Sequence, residues 1–313
     1  MPAEQTEPSR NAARGHARWL LARALAAAAA AGLMTSACGP GAVSGASPAS
    51  PATATVTTAP RNLTTGPQKV TTQPRASARP AATATGSPAA AGAQPLAGKI
   101  VGIDPGHNGL NGTDPEYIDH QIWNGQEWED CDTTGTETDN GYTEARFNFN
   151  VASYLRGYLR RAGARVVMTR RNDHGVGPCV NRRARIIDRA HASVAIDIHA
   201  DGGPPWGRGF TVLEPVADGP NDKVIAASVR FGRDVRSAFL AGTPLRRSDY
   251  YGHDGVIFRD DLAGLNLTTV PKVLIECGNM RNAADAALLT TASVQRQIAR
   301  ALGAAIIRFL THR

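Results

Sequence analysis

The sequence predicts an α/β fold: one domain of alternating strands and helices, preceded by an export signal or anchor and a disordered linker. Three observations carry this expectation. From Lys99 onward, short apolar runs rich in β-branched residues alternate with stretches of helical periodicity. The run Ile100-Val-Gly-Ile103 is broken by Asp104-Pro105-Gly106, the punctuation of a strand that ends in a tight turn. Residues 1–96 lack the composition of a packed core, which leaves about 215 residues for one sizeable domain.

Residues 1–38 read as an export signal. Arg10, Arg14, Arg18 and Arg23 form a positive flank, and Trp19 to Met34 is apolar and Ala-rich apart from Arg23. The apolar stretch is too short and too interrupted for a membrane span. Its end, Thr35-Ser-Ala-Cys38, resembles a bacterial lipoprotein signal with Cys38 as the lipidated residue, although Thr35 stands where Leu is usual. Cleavage near Ala37 and retention as an uncleaved anchor stay open, and with them membrane anchoring through Cys38 or the apolar segment. Residues 39–96 are Pro, Ala, Thr, Ser and Gly with few large apolar side chains, so they cannot offset the entropy of ordering and read as a disordered linker. Such a chain reaches about 40 Å.

The net charge of +7 and pI near 9.6 point at first to a nucleic-acid binder. Its distribution excludes that partner. Residues 1–38 carry +2 and residues 39–96 carry +4, which leaves the remainder at +1.

The elements of the domain follow in order. The strand from Ile100 presents His107 at its C-terminal end, where open α/β sheets bind ligands. Residues 108–141 form a long polar loop with Trp123, Trp128 and Cys131, and a loop of that length is uncommon unless functional. Tyr142 to Arg161 places Phe147, Val151, Tyr154, Leu155 and Leu159 at helical spacing, and Gly163 stops the helix. Val166 to Met168 is a strand. Cys179-Val-Asn181 opens an Arg-rich helix through about Ala190, with Asn181 as its expected N-cap. Val194 to His199 is a buried strand, Gly209 to Glu214 an edge strand, and Lys223 to Leu240 a helix. Residues 241–270 read as irregular. Val273 to Ile275 is a strand ending at Glu276, and helices are expected at 282–289 and 292–310.

Four polar residues occupy matching positions in this scheme. His107, His199 and Glu276 end strands, and Glu144 lies in the first turn of a helix. Parallel strands open their C-terminal ends onto one crevice. Two histidines and a carboxylate are a common catalytic zinc set, and a further carboxylate can take a proton from water.

These residues carry a resemblance to a known family. Ile103-Asp-Pro-Gly-His107, Thr143-Glu144, Ile196-Asp-Ile-His-Ala200 and Val273-Leu-Ile-Glu-Cys-Gly-Asn279 resemble the motifs of the zinc-dependent N-acetylmuramoyl-L-alanine amidases of bacterial cell walls. Arg183 also sits in a segment similar to one that bears an Arg in that family. The resemblance spans about 98–311 and implies a catalytic domain over 97–313 with a mixed, mostly parallel sheet flanked by helices. It implies one Zn²⁺ held by His107, Glu144 and His199, with Glu276 as the catalytic acid/base. The implied reaction is hydrolysis of the amide between N-acetylmuramoyl and L-alanine, and the expected partner is peptidoglycan, met by a monomer in the cell envelope. A zinc peptidase cutting within the stem peptide, or a tethered non-catalytic peptidoglycan-binding protein, would share parts of this pattern.

Two carboxylates admit two readings each. Asp197 stands where the family commonly has a small hydroxyl residue; it could orient His199 or pair with a structural Arg. Asp104 has the same alternatives with respect to His107. Cys277 reads as a buried free thiol. With Cys38 in the leader, Cys131 and Cys179 remain in loops, and a disulfide between them is expected in an exported protein.

Overall fold

A computed structural model describes residues 94–312; Cys38, the export signal and nearly all of the linker lie outside the described residues. The chain enters the core before the expected boundary at residue 97. Leu96 is fully buried, and its N–H donates to the Ala162 carbonyl.

The main sheet contains β1 (Ile100–Pro105), β4 (Arg165–Met168), β5 (Val194–Asp201), β6 (Thr211–Pro215), β7 (Val256–Arg259) and β8 (Lys272–Asn279) in the order β4-β1-β5-β8-β6-β7. The pairs β4/β1, β1/β5, β5/β8 and β6/β7 are parallel, and only β6/β8 is antiparallel. A small hairpin, β2 (Gln121–Trp123) with β3 (Trp128–Asp130), stands apart. The helices are α1 (Pro115–Ile118), α2 (Glu144–Arg161), α3 (Val180–Arg189), α4 (Ile225–Gly242), α5 (Ala263–Asn266), α6 (Ala283–Leu289) and α7 (Ala292–Thr311).

Strand alternation gives the sheet two unlike faces. Val101, Ile103, Ile196, Ile198, Val273 and Ile275 join the main apolar core, with Phe147 and Leu155 of α2, Phe231 and Val235 of α4 and Ile298 and Leu302 of α7. The other face carries Asp104, Asp197, His199, Lys272 and Glu276, with α3 and α5 on its side. The apolar face holds the fold together, and the polar face is free to hold chemistry.

Several local expectations change. Gly209 to Glu214 was expected at an edge, but β6 is interior and buried along its whole length, because β7 emerges from the supposedly irregular 241–270 stretch and covers it. Asn181 is not the cap of α3; Cys179 occupies that position and no side chain caps it. Glu276 lies inside β8 rather than at its end, since the strand runs on to Asn279. The 108–141 stretch is not a bare loop. It holds α1 and the β2–β3 hairpin, whose Ile122 packs with Cys131, Cys179 and Ala263. Cys131 and Cys179 are paired, with Cα atoms 4.5 Å apart, and Cys277 is a buried free thiol. Among the described residues no helix is long and apolar enough to cross a membrane.

Candidate metal centre

β1 ends by being pinned. The Gly106 N–H donates to the Ile198 carbonyl of β5 at 3.0 Å, and the chain then turns through His107, which adopts φ +56°. Arg170 Nε donates to the Pro105 carbonyl at 2.9 Å, and Asn148 Nδ2 donates to the Gly106 carbonyl at 3.2 Å. Residue 106 must be glycine, because a Cβ there would lie 2.0 Å from the His199 ring. Gly135, at φ +73°, lies against the other side: a Cβ would meet the His107 ring at 2.6 Å and Glu144 Oε2 at 2.8 Å.

Glu144 reaches the same place from the start of α2, behind the Thr143 N-cap. Its Oε1 faces His199 Nδ1 at 2.8 Å and accepts from the Ala200 N–H at 3.2 Å. Its Oε2 lies 3.3 Å from His107 Nε2 and accepts from the Thr136 N–H at 3.0 Å. One ligand atom from each of His107, Glu144 and His199 falls within 4.8 Å of the others. Glu276 is the register partner of His199 across β5 and β8, so the two side chains share a face. All four residues line one cleft of about 550 Å³, which Leu213, Leu262, Leu265, Leu274 and Arg259 also line.

The other contacts of these side chains leave one nitrogen of each imidazole free to face the centre. His107 Nδ1 is engaged by the Thr133 carbonyl at 3.0 Å and Asp132 Oδ1 at 3.1 Å, which leaves Nε2 for the centre. His199 Nε2 lies 3.4 Å from Asp197 Oδ1, which leaves Nδ1. Two imidazoles with carboxylates behind them and one anchored glutamate make a donor set that fits zinc. A second observation agrees: buried Glu276 Oε2 has no hydrogen-bond partner within the protein, a costly arrangement in a cleft without a cation.

The electrostatics follow from this crowding. Burial pulls the His107 imidazole down, but Glu144 and Asp132 outweigh it and raise it to about 9. His199 is likewise opposed by burial and raised well above its ordinary value by Asp197 and Glu144. Burial pushes the Glu276 carboxyl up to about 8, against the pull of His199 and with Glu144 and Asp201 adding to it. A carboxyl whose charged form is this poorly solvated holds a proton strongly, and nearby positive charge decides when it releases it.

Behind the centre lies an ion network that the sequence did not announce. Asp132 is the carboxylate at His107; Asp104 instead accepts from Thr169 Oγ1 at 2.6 Å and sits between Lys272 Nζ at 2.9 Å and Arg183 Nη1 at 3.3 Å. Arg183 also donates to Asp132 Oδ2 at 2.9 Å and to the Pro105, His107 and Pro178 carbonyls. Lys272, fully buried, lies 3.5 Å from Asp197 Oδ2. Asp197 therefore stands between His199 and a buried lysine, not an arginine. His120 lies near Cys179, and none of His120, His191 and His253 lines this cleft.

Comparisons with known proteins show the family. The family model described as N-acetylmuramoyl-L-alanine amidase matches residues 101–308. An N-acetylmuramoyl-L-alanine amidase of Mycobacterium tuberculosis is 38% identical over 237 residues, which is 74% of this chain and 94% of that relative. The crystal structure of the N-acetylmuramyl-L-alanine amidase Ami1 from Mycobacterium smegmatis is similar at 38% identity and TM-score 0.66, over 70% of this chain and 99% of the other. The apo Ami1 from Mycobacterium abscessus is similar at 39% identity and TM-score 0.65, over 69% of this chain and 100% of the other.

Proposed function

The chain belongs to the N-acetylmuramoyl-L-alanine amidase family and is a peptidoglycan hydrolase, and on that premise we propose that it works as an exported, monomeric zinc enzyme with one metal site. His107 Nε2, His199 Nδ1 and a Glu144 oxygen hold the zinc, and Glu276 is the catalytic acid/base. The observation that carries this reading is the convergence of those three ligand atoms within 4.8 Å, with Glu276 in register beside His199. Zinc held there would supply Lewis acidity for a carbonyl oxygen and would lower the pKa of water. Glu276 takes a proton from the attacking water as the carbon–oxygen bond forms. It returns that proton to the leaving nitrogen as the carbon–nitrogen bond breaks, so one water yields a lactyl carboxyl and the free amine of L-alanine. Asp132 and Asp197 hold the two imidazoles in the orientation that points the free nitrogens inward. Export through the 1–38 leader, with Cys38 as a site for lipid attachment, puts the enzyme where its substrate lies.

Metal analysis tests the site. The purified wild type is expected to carry close to one equivalent of zinc, and Glu144→Gln well under a tenth of that because it removes a charged ligand. Chelation is expected to stop the release of stem peptides from purified peptidoglycan, and added zinc to restore it. Full activity in chelated, metal-free protein would overturn the assignment.

The Cys131–Cys179 pair is a disulfide in the exported protein on this reading. It ties the segment carrying the hairpin and Asp132 to the start of α3 across a separation of 48 residues. Replacing both cysteines with serine is expected to lower stability by about 4 kcal/mol, less any strain relieved. A free Cys131 thiol in intact-mass and alkylation analysis of non-reduced protein would refute it.

A further inference from the structure

The β2–β3 hairpin carries two tryptophans that the reaction does not use. Alternation divides the hairpin into two faces. Ile122 and Glu129 point inward: Ile122 is buried, and Glu129 Oε1 accepts from the Ala263 N–H at 3.3 Å. Trp123, Trp128, Gln121 and Asp130 point outward. Trp123 is 46% exposed and Trp128 65% exposed, with ring centroids 5.7 Å apart at an interplanar angle of 68°. A cross-strand aromatic pair supports a hairpin, but that role does not require so much ring left open to water. Beside the pair, Gln121 Nε2 donates to the Asp130 carboxylate, and Asp130 also lines the catalytic cleft. Trp128 and Asp130 are two residues apart on one strand, about 7 Å. Glu129 and Asp130 both line the cleft, so the hairpin forms part of its rim.

We propose that this face is a sugar-binding platform on which the glycan strand of peptidoglycan lies as it leaves the cleft. A pyranose ring carries C–H groups on its faces and polar groups around its rim. The indole faces of Trp123 and Trp128 match the former, and the amide of Gln121 and carboxylate of Asp130 match the latter. The substrate's covalent structure puts the strand here. The lactyl group joins a sugar directly to the scissile amide, so that sugar sits within a few bond lengths of the reacting carbon, and its neighbours must cross the rim. The direction of this argument rests on the amidase reading of the cleft.

The test uses oligomers of N-acetylglucosamine and N-acetylmuramic acid stripped of peptide, titrated into the full chain and followed by calorimetry and tryptophan emission. The wild type is expected to bind with a change in emission. Trp123→Ala and Trp128→Ala are each expected to bind about tenfold or more weakly, while Trp128→Phe, which keeps an aromatic pair, retains most of the affinity. Arg308→Ala, on α7 against the opposite face of the sheet, is expected to bind as the wild type does, since the platform does not include it. Absence of binding by the wild type, equal binding by the tryptophan-to-alanine variants, or loss of binding in Arg308→Ala would overturn the proposal. If the catalytic reading alone were wrong, Glu276→Gln would still release stem peptides while the tryptophan-to-alanine variants lost oligomer binding.

Discussion

Glu276→Gln is expected to lower the rate of stem-peptide release by roughly 10²–10⁴-fold while leaving the domain at least as stable as the wild type. The two halves of this expectation have one cause. Glu276 Oε2 is buried with no hydrogen-bond partner inside the protein, and burial with the nearby carboxylates Glu144 and Asp201 disfavours its charge. A fold selected for stability alone would not keep an ionisable group there. Glutamine preserves the shape and removes the ionisable proton, so proton transfer fails while the electrostatic penalty is relieved. The proposed ligands His107, Glu144 and His199 are untouched, and bound zinc is expected to be unchanged. Digestion of purified peptidoglycan with mass analysis of released peptides, paired with thermal melting and metal analysis, checks all three. Activity within tenfold of wild type would remove Glu276 from the mechanism; a large fall in melting temperature would make it a structural residue instead.

The sheet and the centre were readable in the sequence to different depths. β1, β5 and β8 sit in the middle of the sheet, so they appear as near-continuous apolar runs, and the polar residues set within and just after those runs point to the site. β7 is a four-residue strand amid turns and charges, with Phe258 exposed, and no period of two emerges over so short a run. Missing β7 made β6 look like an edge, since an interior strand is defined by a neighbour the local sequence does not contain. The support behind the ligands was hidden for the same reason. Lys272 opens an apolar strand and reads as a surface charge, yet its closest ion partner, Asp104, lies 168 positions away in the chain. Asp132 sits in a polar stretch with nothing local to single it out. Only the adjacent Cys131, whose pairing with Cys179 fastens that stretch to α3, marked the segment as held in place.

Arg183→Ala is expected to destabilise the domain by about 3–5 kcal/mol and to weaken zinc binding by about 10–100-fold, although Arg183 touches no ligating atom. Its guanidinium is buried and does two jobs. It lies between the carboxylates of Asp104 and Asp132, and it donates to three backbone carbonyls, of which Pro105 and His107 bracket the turn that presents the first ligand. Removing it leaves Asp132 buried without its counter-charge, and Asp104 with Lys272 alone. Asp132 is also the carboxylate that orients His107, so the loss reaches the centre through one intermediate side chain. For a domain of this size the stability change corresponds to roughly 10 °C in melting temperature. Arg183→Lys separates the two jobs. Lysine restores the positive charge but cannot span two carboxylates and three carbonyls with a compact ammonium, so partial recovery of melting temperature with little recovery of zinc affinity is expected. A zinc affinity for Arg183→Ala equal to wild type would show that Asp132 holds His107 unaided, and that the arginine serves the fold alone.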